Sequence, residues 1–188
     1  MENSSHQAGS RKLFISLTAL FILTVPIASP ASDNSVTTYV VGGSNSFDLA
    51  QTGDLNQASS WQIGFGQDIN INQLGRDNTV GSQAAPVVQL GFDNSLDIAQ
   101  YGFNNSVNGS QVGYSNTATF VQYGLANSLD FSQHGVGNYM DATTHGYGIN
   151  LDLSQAGNGN TLNVHLGGSN IELGISQQGG ATATVTGN

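Results

Sequence analysis

The stretch Ser95-Leu96-Asp97-Ile98-Ala99-Gln100-Tyr101-Gly102-Phe103-Asn104-Asn105 decides the fold. Its first seven residues alternate, with Leu96, Ile98 and Gln100 on one side and Asp97, Ala99 and Tyr101 on the other, which is the two-residue period of a strand. The last four carry Gly and Asn, residues that tolerate left-handed backbone angles and hydrogen-bond within turns. The unit therefore predicts one strand followed by one tight arc.

The same unit recurs on both sides of this stretch. Glycine stands 11 residues apart at Gly42, Gly53, Gly64 and Gly75 and, after one longer step, at Gly91, Gly102, Gly113, Gly124, Gly135, Gly146, Gly157, Gly168 and Gly179. Two residues before these glycines lie Gln51, Gln62, Gln73, Gln89, Gln100, Gln111, Gln122, Gln133, Gln155 and Gln177. Three residues after them lie Asn45, Asn56, Asn78, Asn94, Asn105, Asn116, Asn127, Asn138 and Asn160. Biased composition scatters Gln and Asn but does not phase them, so the repeat is a structural one. Five residues after each Gly from Gly42 to Gly168 the side chain is apolar, from Phe47 and Ala58 to Leu162 and Leu173. Seven after, the column is mostly apolar and is weakened by Ser60, Ser82 and Gly109. Helix is excluded, because Gly every 11 residues and dense Asn are poor helix formers.

One strand-arc unit cannot bury its apolar face alone. Two units facing each other make a 22-residue coil, and coils stack about 4.8 Å apart with parallel, in-register strands. The fold class predicted is all-β, a parallel β-solenoid of about six 22-residue coils with two facing parallel sheets. Stacking then aligns Gln62, Gln89, Gln111, Gln133, Gln155 and Gln177 on one sheet, and Gln51, Gln73, Gln100 and Gln122 on the other before Thr144 and Leu166 interrupt the column. Amides stacked in this way donate to one coil and accept from the next, which satisfies a Gln inside the core.

Composition fits such a chain. Only 8% of its 188 residues are charged, against about a quarter in ordinary domains. The net charge is -9 with Lys+Arg 3, which argues against nucleic acid or an anionic membrane surface as partner. Cysteine is absent, so disulfides and thiolate metal sites are excluded. Arg11 and Lys12 precede the apolar run Leu13 to Ala28, and Ser29-Pro30-Ala31 supplies small residues, the pattern of a signal peptide over 1–31 cleaved after Ala31. A retained membrane anchor is the other reading, although the run is shorter than the ~20 residues of a span. The expected organisation is then a short mature segment over 32–41 and a repeat domain over 42–188, with a longer arc at 76–90 around Pro86.

Several outward positions invite a functional reading. Asp48, Asp97, Asp130, Asp141 and Asp152 share the phase six residues after Gly, either as gatekeepers that slow aggregation or as a solvated, solubilising face. Tyr101, Tyr123 and His145 share a column at 22-residue spacing, either as a ladder for adhesion or bundling or as ordinary sheet-surface residues. His134 and His165 fall on other columns, and no catalytic, cofactor-binding or metal site is expected. Gly-rich stretches such as GGSN and GNGN belong to the arcs, since no helix or Lys follows them.

These residues resemble the curlin repeat, in which Ser, Gln, Gly and Asn recur in that order. Ser95, Gln100, Gly102 and Asn105 fit it, as do Ser128, Gln133, Gly135 and Asn138, and the resemblance covers most of the chain after the leader. It implies a secreted, extracellular fibre subunit at the cell surface of Gram-negative bacteria, with roles in adhesion and biofilm matrix. It also implies a homopolymer as partner, together with a nucleator subunit and an outer-membrane export pore, no cofactor and no enzymatic activity. The acidic charge and the Ser-starting strands favour a major subunit over a nucleator. Three departures stand out: only Ser32 to Val41 precede the first repeat Gly, where curlins often carry a Gly/Asn-rich export segment; the repeat decays after residue 140, where Thr144, Ile149, Leu166 and Ile171 replace Gln or Asn; and there are more units than in five-coil members. The alternative from a different class is a monomeric secreted β-solenoid that binds a surface ligand, a glycan or ice.

Overall fold

The computed structural model describes residues 10–17 and 33–187, so the expected cleavage site after Ala31 and most of the apolar run lie outside the described residues. Strands account for all the regular structure described. β2 (Ser35–Gly43) and β3 (Asn45–Asp54) form the first coil, and β4 (Gln57–Phe65) and β5 (Asp68–Arg76) the second. β6 (Thr79–Val80), β7 (Val87–Phe92) and β8 (Ser95–Phe103) form the third, and β9 (Ser106–Tyr114) and β10 (Thr117–Leu125) the fourth. β11 (Ser128–Val136) with β12 (Tyr139–Thr144), β13 (Asn150–Asn158) with β14 (Thr161–Val164), and β15 (Glu172–Gln178) with β16 (Thr182–Val185) complete the stack.

The solenoid thus has about seven turns with two facing parallel sheets, against the six expected. The additional coil begins at Ser35, because Ser35 to Val41 build the first strand rather than a segment ahead of the repeats. Pairing is parallel and in register from coil to coil: Gln111 lies beside Gln133, Gly113 beside Gly135. β1 (Ser10–Leu17) is the exception and lies antiparallel along β3, from Ser10 opposite Thr52 to Leu17 opposite Asn45.

The extra residues of the third coil leave the chain from the middle of a strand, not from the arc at Gly75. Thr79–Val80 and Val87–Phe92 both pair with β4 and with β9, and the residues between them form a tight excursion in which Ser82 N donates to Ala85 O at 2.8 Å. The inward position that spacing assigned to Ser82 passes to Val87, which is fully buried. Pro86 therefore sits outside the ladder, where its missing N–H costs nothing.

Alternation places Phe47, Ile69, Leu96, Ala118, Met140 and Leu162 inside on one sheet and Val36, Ala58, Val80, Val107, Leu129 and Leu151 inside on the other. The two weak points of the core are compensated. Ser60 shares a hydrogen bond of 2.9 Å with Thr38, and Gly109 leaves room for Phe131, whose ring would touch an added Cβ at 2.5 Å. Phe131 in turn meets Phe120 across the core at 4.7 Å.

Candidate functional site: stacked amide ladders

The repeat glutamines point inward and stack. On one sheet Gln62 Nε2 donates to Gln89 Oε1 at 3.3 Å, Gln89 to Gln111 at 2.7 Å, Gln111 to Gln133 at 2.8 Å, Gln133 to Gln155 at 2.9 Å and Gln155 to Gln177 at 2.8 Å. On the other, Gln51 donates to Gln73 at 2.8 Å, Gln73 to Gln100 at 2.9 Å and Gln100 to Gln122 at 3.0 Å. The second hydrogen of each amide goes to a backbone carbonyl of the facing side, as from Gln111 to Ser95 at 2.9 Å and from Gln133 to Thr117 at 3.0 Å. Amides that are almost wholly buried thus keep their hydrogen bonds, and the desolvation penalty is offset.

The repeat asparagines, expected as arc residues at left-handed angles, play a different structural part. The left-handed residue is the one before each Asn, for example Asp77, Asn104 and Ser115. The Asn side chain turns inward and builds a second pair of ladders. Asn94 Oδ1 accepts from both the backbone N and Nδ2 of Asn116, at 3.1 and 3.0 Å, and Asn116 Oδ1 accepts in the same way from Asn138. Asn45, Gln67, Asn94, Asn116, Asn138 and Asn160 line one edge, and Asn34, Asn56, Asn78, Asn105 and Asn127 the other, which ends where Ile149 N donates to Asn127. Gln side-chain oxygens accept from the N-terminal coil and Asn side-chain oxygens from the C-terminal one, so the two rows of carbonyl dipoles run in opposite senses along the stack.

Where a ladder ends, a polar atom is left over. Gln62 Oε1 is buried without a partner because Val40 occupies the preceding rung. Thr144 Oγ1 is likewise alone, because its side chain replaces a Gln below Gln122. Gln67 stands in an Asn column and leaves Oε1 unpaired.

From Gly42 to Gly157 the repeat glycines close their arcs against the next coil. At Gly113, φ is +126° and a Cβ would lie 2.0 Å from the Gly135 carbonyl oxygen. No other residue type allows that approach of backbone to backbone.

Residues 42–75, from the end of β2 to the end of β5, match the family model described as the curlin associated repeat. That stretch of the solenoid therefore carries a curlin-type repeat. No curated protein and no solved structure matches the chain.

The outer surface of the solenoid carries its own columns. Asp48, Asp97 and Asp141 lie on one sheet with Asn70 and Thr119 interposed, whereas Asp130 and Asp152 are direct neighbours on the other. Like charges on adjacent rungs repel, and the interposed neutral rungs relieve this on the first sheet. Asp68 lies two residues before Asn70 on β5, and its pKa is raised, first by desolvation and then by the Asp97 and Asp48 carboxylates, against a lowering hydrogen bond from Ser46.

Tyr101, Tyr123 and His145 stack face to face at 5.0 and 5.4 Å. A second exposed column, Phe65, Phe92 and Tyr114, not among the candidates from sequence, stacks at 5.7 and 5.0 Å. Its signal lay one residue after Gly, a position scored only as arc. Among the described residues no group of three or more His, Asp or Glu side chains could hold a metal ion.

Proposed function

We infer that this chain is a secreted structural subunit that assembles coil on coil into an extracellular, curli-type fibre serving adhesion and biofilm matrix. The observation that supports this most is the coil-to-coil bond from Gln111 to Gln133 at 2.8 Å, made again at successive rungs by the same residue type. A coil built this way presents to its neighbour the same rows of amides, backbone donors and acceptors that it receives, and such a surface templates a further copy. The curlin repeat over 42–75 supports the same reading.

Export with removal of the leader over 1–31 would free the edge of β3 along which β1 lies, and growth from that edge then becomes available. A nucleator subunit and an outer-membrane pore are the partners this route calls for, with no cofactor. The net charge of -9 and the Ser-starting strands support a major subunit rather than a surface-tethered nucleator. The fibre reading requires no reaction and therefore no catalytic residue.

The test is refolding of residues 32–188 from denaturant, followed by thioflavin T fluorescence and sedimentation velocity. Growth after a lag that preformed fibres abolish is the expected result. A chain that stays monomeric for days at high concentration refutes the fibre.

A further inference from the structure

The five extra residues of the third coil break the repeat once, and they do so beside the sole tryptophan. The excursion after Gly81 turns at Ser82 and Ala85 and stands over the outer face of β4. Together with that face it walls a cleft of about 470 Å³ lined by Thr37, Tyr39, Ser59, Trp61, Ile63 and Gln83.

Three features give this cleft a chemistry. First, Tyr39 and Trp61 are tilted by 54° with centroids 6.0 Å apart, whereas the exposed aromatic columns stack at 7° to 15°. Stacked rings cover each other's faces and offer only edges. The tilted pair leaves ring face open, and Trp61 is 45% exposed. Second, hydroxyls of Thr37 and Ser59 and the amide of Gln83 border the same space, and these groups donate and accept in pairs. Third, among the described residues no charged side chain lines the cleft, in a chain whose net charge is -9. An open aromatic face beside neutral bidirectional hydrogen-bonding groups suits a ligand with apolar C–H faces and a rim of hydroxyls, and it offers nothing to an ion.

We propose that this cleft is a binding site for a neutral oligosaccharide, with a pyranose face against Trp61 and its hydroxyls on Gln83, Thr37 and Ser59. The site belongs to one chain and stands without polymerisation. Its multiplication rests on the fibre reading: one cleft per seven coils repeats about every 34 Å along a fibre, so weak single-site affinity becomes avidity for a polysaccharide.

Trp61 reports on its own site. The full chain is titrated with cellohexaose, chitohexaose and maltohexaose, and with an oligogalacturonate as the charged control. A saturable change in tryptophan emission with at least one neutral sugar and none with the galacturonate is expected. Calorimetry then compares variants: Trp61→Ala lowers affinity at least about tenfold and Gln83→Ala about threefold to tenfold. Deletion of 82–86 restores the length of the neighbouring coils and abolishes binding while circular dichroism stays that of a β protein. No saturable response to any neutral sugar, a preference for the galacturonate, or binding that survives Trp61→Ala and the deletion overturns the proposal. So does an emission change driven by protein concentration alone, which would assign the cleft to a second copy. Thioflavin T kinetics report assembly separately, so loss of sugar binding and loss of polymerisation are distinguishable.

Discussion

Gln111 accepts from Gln89 at 2.7 Å and donates to Gln133 at 2.8 Å, both partners being the same residue type one coil away. Gln177 has only one such neighbour, Gln155, and spends both amide hydrogens on the carbonyls of Thr161 and Ala181. A mid-stack amide thus supports two others, and a last-coil amide supports one.

Gln111→Ala removes a donor and an acceptor and leaves the Gln133 oxygen without its donor. A loss of about 2–4 kcal/mol in unfolding free energy is expected from denaturant titration, from three lost bonds, with Gln89, Gln133 and the Ser95 carbonyl, and the buried partners they leave unpaired. Gln177→Ala should cost about half of that or less. Equal losses at the two positions would remove the ladder as the source of stability.

Gly113→Ala and Gly137→Ala separate two uses of glycine. At Gly113 the added methyl would meet the Gly135 carbonyl oxygen at 2.0 Å, whereas at Gly137, with φ at +64°, nothing lies within 4 Å. The first substitution should prevent stacking of the neighbouring coils and abolish both the folded signal and fibre growth. The second should cost about 1 kcal/mol, the left-handed penalty alone. Comparable midpoints for the two variants would contradict the close backbone approach.

Thr144→Gln tests the interrupted ladder. The longer side chain brings an acceptor to Gln122 and a donor toward the carbonyl of Ser128, the place its counterparts use two strands away. Replacing the buried, unpaired Thr144 hydroxyl should raise stability by about 1 kcal/mol. A fall in the midpoint would mean that the core at this rung is already filled.

Asp68 makes stability depend on acid. Its pKa is raised in the folded chain by desolvation, then by Asp97 and Asp48, so the folded state holds that proton more tightly than the unfolded state does. Its stabilising contribution is complete below the unfolded pKa and is lost as pH rises through the folded one. Denaturant midpoints should therefore gain from Asp68 as pH is lowered from about 7 into the carboxylate range. Asp68→Asn should raise the midpoint at neutral pH and diminish the gain on acidification. An unchanged pH profile in that variant would exclude Asp68 as a contributor.

The sequence showed the solenoid plainly because its signal is positional: Gln and Gly at fixed phase, with an apolar column between. That phase also carried the Gln ladders, since a 22-residue coil aligns Gln111 with Gln133 whatever the arc geometry. The Asn ladders were harder to see. Asn is a familiar turn residue, and nothing in its spacing says whether Oδ1 bonds its own arc or the next coil. The insertion was misplaced for a similar reason: Pro86 signals a break in a strand but not which end of the strand is kept. Tyr39 and Trp61 stand 22 residues apart, each three before a repeat Gly, but the cleft beside them exists only once the excursion folds over β4.

The most direct test of coil-on-coil assembly is the mass per unit length of fibres grown from residues 32–188, measured by scanning transmission electron microscopy. Seven coils per chain at about 4.8 Å each predict one chain per about 34 Å in a single filament. One chain per 4.8 Å, about seven times denser, would mean that the chains stack flat as ordinary cross-β rungs, and would contradict the solenoid polymer.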